Sequence, residues 1–264
     1  MCDNRPVLQL DAFGGNPDFV LSLARGLAVI EAFQDQPDGV TVGDIAARTG
    51  LSRAAVRRLL ITLGLLGYAG HSGPVYRLSS RALRLGFSFL SSSSLSVLAL
   101  PILEEISAVI HESSSISMLE GDEIVYLARS ATQRVMSVGL SVGSRLPAYC
   151  TSMGRVMLAG IPPEDLTAYL RRVELKKRTP KSITRKRDFA AELERVRQQG
   201  YALVDEELEL GLRSLAVPVR SRSGKLVAAI NTGVQAARST PREMVERFLP
   251  VLREGAGRLS LALP

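Results

Sequence analysis

The chain has 264 residues, of which 46% are hydrophobic and 22% charged, so it is long enough for two ordinary domains and too apolar for intrinsic disorder. Its formal net charge is +7, but residues 1–103 contain 9 basic and 7 acidic residues, so the total charge does not by itself indicate a nucleic-acid partner. No apolar run approaches the roughly 20 residues of a membrane span, and two cysteines, Cys2 and Cys150, exclude a disulfide framework.

Residues 1–17 contain no apolar stretch of the kind that a signal peptide carries, so we predict a flexible arm on a cytoplasmic protein with reduced thiols. An amphipathic helix is predicted to follow, from Phe19 to Gln34. Its inward-facing positions are predicted to be Leu23, Leu27, Ile30 and Phe33.

Residues 41–63 have the pattern of two short helices joined by a tight turn. Thr41 is placed to cap the first helix, and Asp44 lies in its first turn, where negative charge suits the helix dipole. Gly50 can adopt the left-handed conformation that ends a helix, and Ser52 can cap the next one. This layout is typical of a helix-turn-helix, whose second helix enters the DNA major groove.

The second of these helices has an apolar stripe on one face and basic residues on the other. The stripe consists of Val56, Leu59, Leu60 and Leu63. Between Ile45 and Leu103 there are seven arginines and no Asp or Glu, and arginine suits both phosphates and the guanine edge. The alternative is an ordinary helical hairpin with solvated arginines. The candidate DNA-binding residues are Ser52, Arg53, Ala54, Arg57, Arg58 and, from the next segment, Arg77.

Tyr68–Leu78 has the pattern of a strand, a Gly/Ser/Pro turn and a second strand. A hairpin directly after a recognition helix is a wing, and it places Arg77 or His71 within reach of a phosphate or the minor groove. Residues 18–78 are therefore predicted to form a winged helix-turn-helix domain.

Residues 79–96 are predicted to join the domains as a linker helix, Ser79–Leu90, followed by a serine-rich hinge. The apolar residues of this helix serve either dimer contacts or packing on their own domain, and the sequence favours neither. Paired DNA half-sites favour a homodimer or a dimer of dimers.

Residues 97–264 are predicted to form a mixed domain with a mostly antiparallel sheet, giving the whole chain an α+β fold. The predicted helices are Val97–Ile110, one that starts at Ser152, Glu164–Arg172, Phe189–Gln199 and Thr240–Leu263. The predicted strands are Ser115–Leu119, Glu123–Ser130, Val135–Val142, Ser214–Arg220 and Leu226–Val234.

Catalytic and metal-binding patterns are weak in this chain. Gly139–Gly143 matches the G-x-S-x-G pattern, but both histidines, His71 and His111, precede it, and Ser141 is predicted to lie in a strand. The acidic cluster at 205–209 is predicted to be a solvated loop rather than a cation site, and the basic run at 171–187 a solvated surface. We therefore expect no enzyme activity, metal or cofactor.

Three separated segments resemble the IclR type of transcriptional regulator. These segments are GSRLPAYCTSMGRVMLAG, GYALVDEELELGLRSLAVPV and KLVAAINTG. With the winged helix, the resemblance covers about Phe19 to Leu263 and is strongest to the branch that controls aromatic-acid breakdown through the β-ketoadipate pathway. It implies a GAF-like effector domain and a small organic acid as the signal.

The resemblance also implies where the effector binds: at Thr151–Gly154, at the DEE segment, at Ser214 and at Asn231–Gly233. The N–H groups at a helix start bind a carboxylate well, and hydroxyls and apolar side chains lie beside them in the sequence. Val204 stands where some members have a carboxylate and Ser214 where some have a cysteine. The candidate effector-binding residues are Leu146, Tyr149, Cys150, Thr151, Ser152, Met153, Asp205, Ser214 and Asn231.

The chain is therefore predicted to be a sequence-specific regulator that binds double-stranded operator DNA and is controlled by an aromatic or dicarboxylic acid. Two other classes remain open: an enzyme, and a nucleic-acid-binding protein whose second domain only oligomerises. Thermal stabilisation by aromatic acids would separate the regulator from the second alternative, because only a ligand of the native state raises stability.

Overall fold

A computed structural model gives the structure of the protein and describes residues 15–34, 36–86, 94–131 and 140–263. Contacts divide the chain into two compact units, Met1–Phe89 and Leu90–Pro264. Most of the predicted arm at 1–17, the end of the predicted linker helix, part of the predicted hinge and most of the predicted strand Val135–Val142 lie outside the described residues.

The described part of the N-terminal unit has three helices before its last two strands, a short helical segment after them and a small antiparallel sheet. Its elements are α1 (Leu21–Glu31), β1 (Val40–Thr41), α2 (Val42–Thr49), α3 (Arg53–Leu65), β2 (Ala69–Ser72) and β3 (Val75–Leu78). The strands pair in the order β1-β3-β2, so the predicted wing is present as a hairpin of β2 and β3.

Local capping fixes the ends of α2 and α3, and this prediction is confirmed. The Thr41 hydroxyl accepts from the Asp44 N–H while the Asp44 carboxylate accepts from the Thr41 N–H, which forms a capping box. Gly50 ends α2 at φ +71°, a conformation that costs other residues more than glycine. The Ser52 hydroxyl then accepts from the Ala55 N–H.

The core of the N-terminal unit lies where α1, α2 and α3 meet. Its buried apolar residues are Val29, Ala32, Phe33, Val40, Ile45, Val56, Leu60, Leu63 and Ala69. The prediction that Leu23 and Leu27 face inward is wrong, because these side chains are 62% and 44% exposed. The short side chains Ala28 and Ala32 face the core instead and let α1 approach its neighbours closely.

The segment after the wing begins as a 3₁₀ turn, Ser80–Ala82, and residues 83–86 continue as helix, so the described part of the predicted linker helix is helical. The hinge does not extend to residue 96, since a helix, α4, already begins at Ser94 and continues to Ile110. The buried Ser96 therefore belongs to a helix rather than to a flexible break.

The C-terminal unit has a six-stranded sheet with helices on both faces. After α4 its elements are β4 (Ser113–Glu120), β5 (Glu123–Ser130), β6 (Arg145–Pro147), α5 (Ser152–Ala159), α6 (Pro163–Arg172), α7 (Lys186–Gln199), β7 (Ala202–Asp205), β8 (Leu212–Arg220), β9 (Leu226–Gln235), α8 (Pro241–Glu243) and α9 (Leu249–Ala262). The strand order is β6-β5-β4-β9-β8-β7, and every pair is antiparallel. The predicted α+β fold is confirmed.

The two faces of the sheet carry two separate cores. On one face Leu215 and Ile230 pack against α4 and α9, and on the other Ala216 and Ala229 pack against α5 and its neighbours. Successive residues of a strand point to opposite faces, so one hydrogen-bond register specifies both cores. The second face matters for function because it leaves space beside the start of α5.

Several predicted elements need correction. Strands β6 and β7 were not expected, and Leu140, Ser141 and Val142 lie outside any strand, with Val142 in a turn. The predicted final helix is confirmed from its Thr240 cap onward, and the structure adds a π-helical segment, Met244–Phe248, between α8 and α9. Among the described residues, no helix is both long and apolar enough to cross a lipid bilayer.

We expect Gly154→Ala to destabilise the C-terminal unit by roughly 1–3 kcal/mol, the usual cost of overpacking. A Cβ at Gly154 would lie 2.2 Å from the backbone oxygen of Ala148, and a backbone atom cannot rotate away. Thermal and urea unfolding of the full chain measure the change. The control is Gly257→Ala in α9, where a Cβ meets nothing within 4 Å, and equal stability of the two variants would contradict the prediction.

Candidate functional site

A cavity of about 320 Å³ lies in the C-terminal unit, between the sheet and the start of α5. Its lining combines hydroxyl and amide groups with apolar side chains and three charged residues. The lining residues are Ser113, Ser115, Tyr126, Arg129, Leu140, Leu146, Thr151, Ser152, Met153, Arg178, Leu208, Glu209, Leu212, Ser214, Asn231 and Gly233.

The floor of the cavity is the polar part of the second sheet face. Ser115 in β4 pairs with Arg129 in β5 on one side and with Asn231 in β9 on the other. Gly233 in β9 pairs with Ser214 in β8 in the same way. Residues directly opposite each other on neighbouring strands lie on the same face of the sheet. The paired residues of β5, β4, β9 and β8 therefore place their polar groups together beneath the cavity.

The start of α5 supplies a second polar wall. The Thr151 hydroxyl caps this helix by accepting from the Gly154 N–H at 3.3 Å. The N–H groups of Ser152 and Met153 belong to the first turn and have no acceptor within the helix. Ser152 is fully buried, and among the described residues its hydroxyl has no hydrogen-bond partner. An unpaired buried hydroxyl costs free energy, so this wall fits a polar ligand group.

The remaining walls are apolar. They are formed by Tyr126, Leu140, Leu146, Met153, Leu208 and Leu212. Aliphatic and thioether side chains on several sides favour a flat apolar body such as an aromatic ring.

Six of the nine predicted effector-binding residues line the cavity, and three lie outside its lining. The six are Leu146, Thr151, Ser152, Met153, Ser214 and Asn231. The Tyr149 hydroxyl instead donates to the Lys176 carbonyl and accepts from Arg178 Nε at 3.3 Å. Cys150 is buried, and burial raises the pKa of its thiol to about 11, so this thiol is a poor nucleophile.

Asp205 is the third residue outside the lining. Its carboxylate accepts from Arg213 Nε at 2.7 Å and from Lys181 Nζ at 3.1 Å. Burial alone would raise the pKa of Asp205, but these two cations hold it below its usual value. Asp205 therefore anchors the end of β7 rather than facing the cavity.

Sequence reasoning did not find several lining residues. Arg178 belongs to the basic run that was expected to be a solvated surface, yet it borders the cavity from its solvent side. Arg129 lies at the end of β5 and carried no sequence signal. The serines of β4 did offer a signal in the sequence. Their spacing of two residues places Ser113, Ser115 and Ser117 on one face of the strand.

A buried arginine holds the cavity wall together. Arg155 in α5 is 1% exposed, and its guanidinium contacts the Glu207 carboxylate at 2.6 Å and Glu192 at 3.6 Å. Its Nε also donates to the Tyr149 carbonyl. The prediction of a solvated loop at 205–209 is therefore wrong for Glu207, which is buried and also accepts from the Ile183 N–H.

Further hydrogen bonds fasten two segments over the cavity, residues 174–185 and 206–211, which we call the cover. The Thr179 hydroxyl donates to the Glu206 carbonyl at 2.7 Å, and the Ser182 hydroxyl donates to the Glu207 carbonyl at 2.8 Å. Both cover segments contribute lining residues, so the ion pair of Arg155 and Glu207 sets the position of part of the lining.

The N-terminal unit presents a separate candidate surface. Five of the six predicted DNA-binding residues, Ser52, Arg53, Ala54, Arg57 and Arg58, are exposed along one region of α3. An open groove beside them is lined by Thr41, Val42, Gly43, Arg53, Ala54, Arg57, Pro74 and Tyr76, so α2, α3 and the wing converge there. The sixth, Arg77, is exposed and donates to the Asp38 carbonyl at 2.6 Å.

The described residues contain no group of three or more His, Cys, Asp or Glu side chains arranged to hold a metal ion. Ser141, the central residue of the G-x-S-x-G pattern, is exposed and its N–H donates to the Ser144 hydroxyl. This position does not have the strand-to-helix turn that a nucleophile elbow requires.

Both units match known families. Residues 22–72 match the family described as "IclR helix-turn-helix domain", and residues 87–261 match the one described as "Bacterial transcriptional regulator IclR C-terminal".

Individual relatives match almost the whole chain. It is 49% identical over 248 residues to the Pca regulon regulatory protein of Pseudomonas putida, a match covering 94% of this chain and 85% of that protein. It is 38% identical over 247 residues to the p-hydroxybenzoate hydroxylase transcriptional activator of Acinetobacter baylyi, covering 92% and 91%. A crystal structure of an IclR homolog complexed with 4-hydroxybenzoate, from Microbacterium hydrocarbonoxydans, matches with a TM-score of 0.80 at 26% identity, covering 92% and 98%.

We expect Arg155→Met to destabilise the protein by about 3–5 kcal/mol, because it leaves a buried carboxylate without its partner. Adding Glu207→Gln should recover part of this loss by removing the unpaired charge. Urea unfolding measures both variants. The matched control is Arg195→Met, which removes an ion pair with Glu192 from an arginine that is 57% exposed and should change stability by less than about 1 kcal/mol. An Arg155→Met protein as stable as this control would contradict the assignment.

Proposed function

Because this chain belongs to the IclR family of transcriptional regulators, we propose that it represses or activates genes of aromatic-compound breakdown in response to a monocyclic aromatic acid. The observation that carries this proposal is the cavity beside α5, whose apolar walls enclose a polar floor and a buried, unpaired Ser152 hydroxyl. The N-terminal helix-turn-helix supplies the operator-binding surface.

The size and chemistry of the cavity support the ligand class. A volume of about 320 Å³ lies at the lower end of the range of small-molecule sites, which suits a single substituted ring. Hydroxyl and amide groups on the floor can bind ring substituents, while Met153 and Leu146 contact the ring itself. Arg129 and Arg178 against the single carboxylate of Glu209 leave the lining with a positive balance, which favours an acid.

The relatives support the same class. One of them is named for the activation of p-hydroxybenzoate hydroxylase, and the IclR homolog from Microbacterium was crystallised with 4-hydroxybenzoate. The relative from Pseudomonas putida is named for the Pca regulon. We therefore choose 4-hydroxybenzoate as the first probe for this chain.

The recognition surface is proposed to be the exposed face of α3. Arg53, Arg57 and Arg58 extend from this helix without a carboxylate partner among the described residues, so their charge is available for phosphates and guanine edges. Ser52 and Ala54 lie beside them, and Arg77 in the wing adds a further phosphate contact. Positive charge on both α3 and the wing fits binding that weakens steeply with salt.

Assembly and location complete the proposal. Each copy carries a single winged helix, so a homodimer or a dimer of dimers would double the number of phosphate contacts on a repeated operator. The protein acts in the cytoplasm, where operator DNA is present, and it regulates rather than catalyses. Ligand binding shifts regulation only if the acid binds one arrangement of the two units more tightly than another.

Filling the cavity should abolish the ligand response. We expect 4-hydroxybenzoate at about 100 times its dissociation constant to stabilise the wild type by roughly 2.7 kcal/mol, and Ser152→Phe or Ser214→Leu to remove this stabilisation. Differential scanning calorimetry with and without the acid measures the effect.

The control for that experiment is Ser223→Leu, which adds a similar side chain at an exposed turn of the same unit. It should keep the full ligand response, and all three variants should bind operator DNA like the wild type. A normal response in both cavity-filling variants would show that the ligand binds elsewhere. If no aromatic acid stabilises the wild type, the second domain acts as an oligomerisation module instead.

Replacing single arginines of α3 should weaken operator binding. We expect Arg53→Ala, Arg57→Ala or Arg58→Ala to cost about 1–3 kcal/mol where the side chain reads a base, and to reduce the salt slope by about 1 where it contacts a phosphate. Fluorescence anisotropy with operator DNA at several salt concentrations distinguishes the two roles. Arg187→Ala, at a position 88% exposed in the C-terminal unit, is the control, and wild-type binding by all three α3 variants would rule out this helix as the reader.

A further inference from the structure

Two of the cavity's polar groups that have no side-chain partner among the described residues differ in charge. One is the buried Ser152 hydroxyl, and the other is the guanidinium of Arg129. From this difference we infer that Arg129 binds the carboxylate of the effector, while Ser152 binds its second polar substituent. This inference rests on the proposed function and names the residue that makes the site selective for an acid.

The position of Arg129 fits this role. It is half-buried at the end of β5, directly opposite Ser115 in β4, and both residues line the cavity. Asn231 is the next residue along the same cross-strand row. A carboxylate above this row would therefore meet a guanidinium, a hydroxyl and an amide, which together can satisfy several of its lone pairs.

The charge environment of Arg129 is unusual for this protein. The two arginines that are almost completely buried in this unit are each paired, Arg155 with Glu207 and Arg213 with Asp205. Within the described part of the chain, the guanidinium of Arg129 makes neither a hydrogen bond nor an ion pair, although its backbone is paired with Ser115 in the sheet. The sequence contains no Asp or Glu from residue 130 to residue 163, so the following segment brings no carboxylate either.

The guanidinium of the half-buried Arg129 faces the cavity, where an anionic ligand would pair with it in surroundings of lower dielectric than bulk water. Arginine also has the planar fork that binds a carboxylate through two parallel hydrogen bonds. Arg178 borders the same cavity but is exposed on the solvent side, and its Nε already donates to the Tyr149 hydroxyl. Arg178 is therefore a suitable control for Arg129, because it is the same residue type at the same cavity in a different environment.

The test compares an acid with its neutral amide. Isothermal titration calorimetry of the full chain with 4-hydroxybenzoate and 4-hydroxybenzamide gives the acid-to-amide affinity ratio for the wild type, Arg129→Met and Arg178→Met. We expect the wild type to prefer the acid, Arg129→Met to lose about 10- to 100-fold in acid affinity with little change for the amide, and Arg178→Met to keep the wild-type ratio within about threefold. Arg129→Lys should restore part of the preference, since it restores the charge without the fork.

The outcomes separate this inference from the proposed function. Retention of the acid preference in Arg129→Met, or its loss in Arg178→Met instead, would overturn the inference while leaving the cavity as the effector site. A wild type that binds neither probe would count against both. If Arg129→Met unfolds, Arg129→Gln keeps hydrogen-bonding capacity without charge and is expected to give the same loss of acid preference.

Discussion

Arg155 is the constraint on which the effector cavity depends. A single guanidinium with 1% exposure joins α5 to the Tyr149 carbonyl and, through Glu207, to the cover. The same carboxylate accepts from the Ile183 N–H, so one ion pair positions both cover segments. A buried pair of this kind contributes little net stability compared with apolar packing, but it tolerates only one geometry. The cavity thus takes its shape from a polar contact, while the cores on either side of the sheet take theirs from apolar packing.

Arginine has different roles in the two units. On α3 the arginines remain in water, where their charge acts on a polyanion over a distance set by salt. In the C-terminal unit two arginines, Arg155 and Arg213, are buried in low-dielectric surroundings, where a guanidinium needs a partner. Arg155 and Arg213 have one within the protein, whereas Arg129 lies open to the cavity. A structural arginine in this unit is therefore paired with a carboxylate of the protein, whereas an arginine that binds a ligand is paired with the ligand.

The sequence predicted the local features best. The caps at Thr41 and Ser52 and the turn at Gly50 depend on neighbours a few residues away, so the sequence contains all the information that they need. The inward face of α1 was misjudged because Leu23 and Leu27 share the helical period with the true core residues. The start of α5 was found through a family resemblance, but Glu207 was misread as solvent-facing and the place of the exposed Arg178 beside the cavity was missed, since only the fold brings residues 174–185 and 206–211 over the cavity.

The alternation along β9 has a consequence for how such a regulator can change its ligand during evolution. Ile230 belongs to one core and its neighbour Asn231 to the cavity floor, so a shift of one residue in this strand would exchange the two. An insertion or deletion within β9 would therefore disturb a core together with the floor. New specificity at the floor is reached most directly by point changes at alternate positions of the strand, which leave the scaffold constant while the chemistry of the floor diversifies.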